Sequence, residues 1–151
     1  MNDFSATMIR LSGERKIQLE EIAQLTGAAS MSATIGKLIE IARAQGLVAH
    51  TLPGVAVNSF DDGLAIAFDG AAPIGFTHDG VASLAATIRS FVNDSAGVFG
   101  DANYDYSVSR RGTSFKVSIP ANSASPKTWA ADVALDFADM IEAESAKARA
   151  A

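Results

Sequence analysis

The residues able to do chemistry in this chain are few and scattered. There are two histidines, His50 and His78, and no cysteine in 151 residues, which excludes disulfides and thiolate nucleophiles. His78-Asp79 falls at a predicted helix start, where polar side chains serve as caps. Asp61-Asp62, Asp101 and Asp105 fall in predicted turns, where carboxylates are ordinary. No His or carboxylate spacing matches a metal set, and no glycine-rich phosphate loop follows a strand. Tyr104, Tyr106, Phe115 and Trp129 are large enough to line a pocket, but core packing accounts for them better. The sequence therefore predicts no enzyme, no metal and no cofactor. What remains is Arg10, on an alternating segment, and the serines Ser30 and Ser32, at a helix start.

The elements that position these residues are compact. In residues 6–12, Thr7, Ile9 and Leu11 share one face, while Ala6, Met8, Arg10 and Ser12 share the other. That alternation predicts a short strand. Ser12 is placed to cap a first helix, whose apolar stripe is Leu19, Ile22, Ala23 and Leu25 or Thr26. Gly27 ends it. A second helix opens at Ser30-Met31-Ser32 and runs to Gly46, with Met31, Ile35, Leu38, Ile39 and Ala42 on one face. Strand, helix, turn and helix in about 40 residues cannot enclose a core alone. Such a unit closes its core against a copy of itself.

This stretch, roughly residues 5–46, resembles the ribbon-helix-helix family of DNA-binding repressors. In that family two strands pair across a dimer and enter the major groove. The resemblance implies a homodimer that binds double-stranded DNA. It places Ala6, Met8 and Arg10 as base-reading side chains and Ser30, Met31 and Ser32 as a phosphate clamp at the start of the second helix. Arg10 suits bidentate contact with guanine, and Ala6 and Met8 offer apolar contact to a thymine methyl. A helix start also presents unpaired N–H donors and partial positive charge to a phosphate.

Charge divides the chain. Residues 1–50 hold five basic and five acidic residues, whereas residues 51–151 hold seven basic and twelve acidic, the whole of the net −5. An acidic body repels the phosphate backbone, so only the N-terminal segment is suited to DNA. Residues 47–54 read as a linker, punctuated by Pro53 and Gly54.

Residues 55–151 read as a duplication. At an offset of 49, Val55 and Val57 meet Tyr104 and Tyr106, Gly63 meets Gly112, and Ile66 meets Phe115. The helical pattern Val81, Leu84, Ile88 and Phe91 then meets Ala130, Val133, Phe137 and Met140. Each copy, about 55–94 and 104–143, predicts strand, turn, strand and helix. The turns are Phe60-Asp61-Asp62-Gly63 and Ser109-Arg110-Arg111-Gly112. Thr77 or Asp79 opens one helix and Ser125 before Pro126 the other, and residues 142–151 form a fraying helical tail.

The expected fold is α+β: a ribbon-helix-helix unit over 1–46, then a duplicated strand-strand-helix domain forming one four-stranded antiparallel sheet with two helices on one face. The expected function is a sequence-specific DNA-binding repressor or regulator, with residues 55–151 for oligomerisation or for binding a protein partner or effector. The alternatives are a dimeric interaction or scaffold protein without DNA, and an antitoxin or plasmid or phage accessory protein. No signal or membrane segment is predicted, so the expected location is the cytoplasm.

Overall fold

The computed structural model describes residues 8–93 and 98–150. The chain divides into two units, Met1–His50 and Thr51–Ala151.

Among its described residues the first unit has two helices, α1 (Gly13–Thr26) and α2 (Met31–Ala44). Both obey their sequence signals. Ser12 caps α1 by accepting from the Arg15 N–H at 3.3 Å. Gly27 ends it with φ at 70°, in the left-handed region that a glycine enters at no steric cost. Ser30 caps α2 by accepting from the Ala33 N–H at 3.1 Å. The expected strand is not seen: Met8–Ser12 has no regular structure, and Ala6 and Thr7 lie outside the described residues. A ribbon needs a second strand to bond to, and a single chain supplies none.

Among its described residues the second unit carries seven strands and two helices: β1 (Val55–Phe60), β2 (Gly63–Phe68), β3 (Ile74–Thr77), α3 (His78–Asn93), β4 (Val98–Phe99), β5 (Ser107–Arg111), β6 (Ser114–Ser118), β7 (Lys127–Ala130) and α4 (Ala131–Ala150). The strands form two antiparallel sheets, β1-β2-β3 and β4-β5-β6-β7, not the single four-stranded sheet expected. Each copy adds a third strand, β3 or β7, after its hairpin. Pro126, read from sequence as the first residue of a helix, instead precedes β7. A fixed φ near −65° suits either role. The tail is helical as expected, with α4 continuing to Ala150.

The duplication is present with different spacing. The pairs Val57↔Ile66 and Ser59↔Leu64 of the first hairpin recur as Val108↔Val117 and Arg110↔Phe115, an offset of 51. Across the next ladder Leu64↔Phe76 recurs as Phe115↔Trp129, so β3 and β7 are offset by 53. Buried Val81, Leu84, Ala85 and Ile88 of α3 then match buried Ala134, Phe137, Ala138 and Ile141 of α4 at the same 53. The second turn moves with this register to Gly112-Thr113, where Gly112 takes φ of 59°. Gly63 is needed for a different reason. A Cβ there would lie 1.8 Å from the Phe76 carbonyl oxygen, so only glycine fits between β2 and β3.

One core serves both copies. α3 and α4 pack on each other; α3 also touches β5 of the other copy, and α4 touches β1 and β2. Leu64, Ile66, Phe68, Leu84 and Ile88 share a buried cluster with Val108, Val117, Phe137 and Ile141. Phe68, Trp129 and Phe137 meet edge-on or tilted at 5.0–5.7 Å between ring centres. Tyr106 is buried with its hydroxyl 2.7 Å from Ser83 Oγ and 2.9 Å from Thr87 Oγ1, so its polar end is satisfied inside the core. Arg89 of α3 reaches Glu142 at 2.6 Å and Asp139 at 2.7 Å on α4. Those hydrogen bonds, to Glu142 first and Asp139 second, hold its guanidinium protonated even more firmly than usual. Lys127 of β7 is buried and reaches Asp69, after β2, at 2.6 Å. None of the described helices is long and apolar enough to cross a membrane.

Candidate nucleic-acid interface

The residues assigned to DNA contact lie at the starts of the two helices of the first unit. Met8 and Arg10 belong to the segment that ends at the Ser12 cap. Both are exposed, Met8 at 90%. Ala6 lies outside the described residues. Ser30 is the N-cap of α2, and Met31 and Ser32 are its first two helical residues. Ser30 acts twice: its hydroxyl accepts from Ala33, and its carbonyl accepts from both the N–H and the hydroxyl of Thr34, at 3.0 and 2.8 Å. The capped turn is thus held by side-chain chemistry written into Ser30 and Thr34, and Thr34 is fully buried.

The charges around this surface are mostly engaged. Arg15 donates to Gln18 at 2.9 Å, Lys16 faces Glu20 at 3.9 Å, and Lys37 faces Glu40 at 3.4 Å. Arg43 also has a polar partner. Among the described residues, Arg10 is the cation of this unit with no hydrogen bond or ion pair to another described residue.

The apolar side chains of the unit are largely uncovered. Met8, Ile9, Leu11, Ile17, Leu25, Ile35, Ile39, Ile41, Leu47 and Val48 are all exposed. The expected inner stripe of α2 is divided: Met31, Leu38 and Ala42 are half-buried, while Ile35 and Ile39 face out. In α1, Leu19, Ile22 and Ala23 are half-buried, whereas Leu25 is 87% exposed. Ile17 and Ile41 belong to neither expected stripe. They lie off the 3.6-residue pattern used to define the stripes, and no local signal marks them.

In the second unit the histidine expected to cap does not do so. Thr77 caps α3, accepting from the Gly80 N–H at 3.1 Å. His78 bridges instead: Nε2 is 2.9 Å from the Asp61 carbonyl oxygen and Nδ1 is 2.6 Å from Ser145 Oγ. A carbonyl only accepts, so Nε2 carries the proton, and in the neutral ring Nδ1 then accepts from the Ser145 hydroxyl. No sequence pattern marks this pair, because its members lie 67 residues apart. Tyr106 and Phe115 are core residues, and Trp129 and Tyr104 pack against that core. Among the described residues no group of His, Asp and Glu is placed to hold a metal ion.

No protein-family model, curated protein or solved structure matches this chain.

Proposed function

We propose that this protein is a homodimeric, sequence-specific DNA-binding regulator. In this reading the segments before α1 pair between two chains as a ribbon in the major groove. Met8 and Arg10, with Ala6, point to the bases, and the start of α2, at Ser30, Met31 and Ser32, meets a phosphate. One observation carries the reading. Among its described residues the first unit buries no large apolar side chain, yet its helices are capped and its single unengaged cation is Arg10. In this reading a second copy covers that surface. The second unit, acidic and built on its own core, is left for assembly or for a protein or effector partner.

The test is selection of genome fragments by the purified protein, followed by anisotropy titration of a retained fragment against random duplex at several salt concentrations. The reading expects a cognate fragment bound at least about a thousandfold more tightly than random DNA, with affinity falling as salt rises. Equal, weak binding to both would overturn it.

One observation favours a second reading, a dimeric interaction protein without DNA. Residues 1–50 are electrically neutral, which limits phosphate contacts. The two readings share the dimer and part at the titration.

A further inference from the structure

The two copies within the second unit carry opposite charge at matched places. β1, β2 and β3 hold no charged residue, whereas β5 and β6 hold Arg110, Arg111 and Lys116 and no acid. The strand register puts Arg111 and Lys116 on the outer face of the second sheet, opposite buried Val108, Phe115 and Val117. At the offset of 51 they correspond to Phe60 and Ala65. Among the described residues the side chains of Arg111 and Lys116 have no hydrogen bond or ion pair. Arg110 engages its own hairpin, at 3.0 Å from the Gly112 carbonyl oxygen and 5.6 Å from the Phe115 ring centre.

The matched end of the first copy is acidic. Its hairpin turn is Asp61-Asp62, and Asp79 lies in the first turn of α3. All three are exposed, and none is ion-paired to a described residue. Arg149, which lines one cleft with His78, offsets one of these acids. Asp132, in the first turn of α4, likewise offsets one cation at the other end. Each end keeps its sign.

One chain cannot close these ends on each other. His78 ties the acidic turn to the far part of α4, at 2.9 Å from the Asp61 carbonyl oxygen and 2.6 Å from Ser145 Oγ. The basic hairpin sits at the start of α4, where Ser114 pairs with Ala130. From Ala131 to Ser145 is about 21 Å of helix, at a rise of about 1.5 Å per residue. Screening at physiological salt extinguishes attraction between exposed charges beyond about 8 Å.

We propose that second units of separate copies associate head to tail. The outer face of the second sheet of one copy, at Arg110, Arg111 and Lys116, receives the Asp61-Asp62 turn of the next. Phe60, 56% exposed beside that turn, is covered in the contact by the alkyl stems of Arg111 and Lys116. A foreign acidic partner would account for the basic face alone, whereas a second copy accounts for both ends at once. The two surfaces differ, so the contact is heterologous and adds copies in a row. Exposed ion pairs are individually weak, so the contact fills on the order of 0.1–1 mM and is empty at about 1 µM. It rests on the assembly role given to the second unit, not on DNA binding. A failure of the first-unit dimer is read at about 1 µM, where this contact is silent.

The test follows the weight-average mass of the full-length protein by sedimentation equilibrium from about 10 µM to about 1 mM, at about 50 mM and about 500 mM salt. The mass should climb with concentration at low salt and stay flat at high salt. Asp61→Lys with Asp62→Lys, and Arg111→Glu with Lys116→Glu, should each lose the climb alone. An equimolar mixture of the two should regain it, because each supplies the end that the other lacks. Thermal melts show whether both variants are folded. If a reversed variant does not fold, the neutral variants decide: Asp61→Asn with Asp62→Asn, and Arg111→Gln with Lys116→Gln, should each weaken the association several-fold. A flat mass for the wild type at low salt, an equal climb at both salts, a folded mixture that does not regain the climb, or neutral variants that associate like the wild type would each overturn the proposal. So would a climb kept by Arg111→Glu with Lys116→Glu while duplex DNA binding weakens, which would make the basic face a phosphate contact.

Discussion

The two units of this chain solve the burial problem in opposite ways. The second encloses a continuous core in which Leu64, Ile66, Leu84, Ile88, Val108, Val117, Phe137 and Ile141 are essentially inaccessible, and Phe60 is its one exposed large hydrophobic among the described residues. The first has well-formed, capped helices and no such core; its buried residue, among those described, is Thr34. Both contain good local signals, so local signals do not explain the difference. The second unit contains two copies of its motif, and each copy covers the other's apolar face. The first contains one copy. A motif too small to enclose a core is completed by duplication in one half and, on our reading, by a second chain in the other.

The largest expected effect tests the self-sufficient half. Phe137→Ala removes the ring that meets both Phe68 and Trp129 and should cost about 3–5 kcal/mol. In thermal melts of a 51–151 fragment this should remove most of the stability, while Leu25→Ala in the full chain should leave the same transition unmoved. A small effect of Phe137→Ala would mean that the core is less shared than the packing indicates.

Next comes the dependent half. Ile39→Glu puts a charge on the uncovered face of α2. If that face is a dimer contact, burial worth roughly 1.5–3 kcal/mol is forfeited by each chain. Sedimentation should then show dissociation together with loss of helical signal from the first unit. A dimer of unchanged affinity would place the interface elsewhere. Arg10→Ala follows, at about 1–3 kcal/mol for each guanine that Arg10 no longer reads. It should remove preference for a cognate fragment while leaving the dimer intact, as read by paired titration and sedimentation. Unchanged discrimination would take base reading away from this segment.

The smallest effect returns to the second unit. Arg89→Gln breaks two partly exposed ion pairs between the helices and should cost about 1 kcal/mol or less, reduced further by salt. Because the folded state raises the pKa of Arg89 above its ordinary value, the stabilisation is fully present below that ordinary value. It is lost only as pH rises through the folded value, so it should not vary across neutral pH. Urea midpoints of wild type and variant should therefore differ by a constant amount from about pH 6 to pH 9.

Legibility follows the range of the interactions. Ser12, Gly27, Ser30 and Thr77 are readable as helix ends because a cap is a contact within three or four residues. The duplication is readable, but its spacing is not. Shifting a strand by two residues keeps every side chain on its face, and shifting a helix by four nearly does so. An offset of 49 therefore imitates the observed 51 in the hairpin and 53 in the helix. The short strands Ile74–Thr77 and Lys127–Ala130 escape a sequence reading because four residues hold too little alternation. Their inward side chains Phe76 and Trp129 find partners only in the folded domain. The His78–Ser145 bridge and the Lys127–Asp69 pair join residues 67 and 58 apart, where sequence pattern is silent. For the candidate interface, the segment before Ser12 and the start of α2 can be located from sequence, whereas the exposure of Ile35 and Ile39 emerges only once the helices are packed.

Completion of the first unit by a second chain is tested most directly by sedimentation velocity of the full-length protein at about 1 µM, beside a 51–151 fragment. A dimer is expected for the full chain and a folded monomer for the fragment. A full-length monomer whose first unit retains its helical signal at that concentration would contradict this completion, and with it the paired ribbon on which the DNA-binding proposal rests.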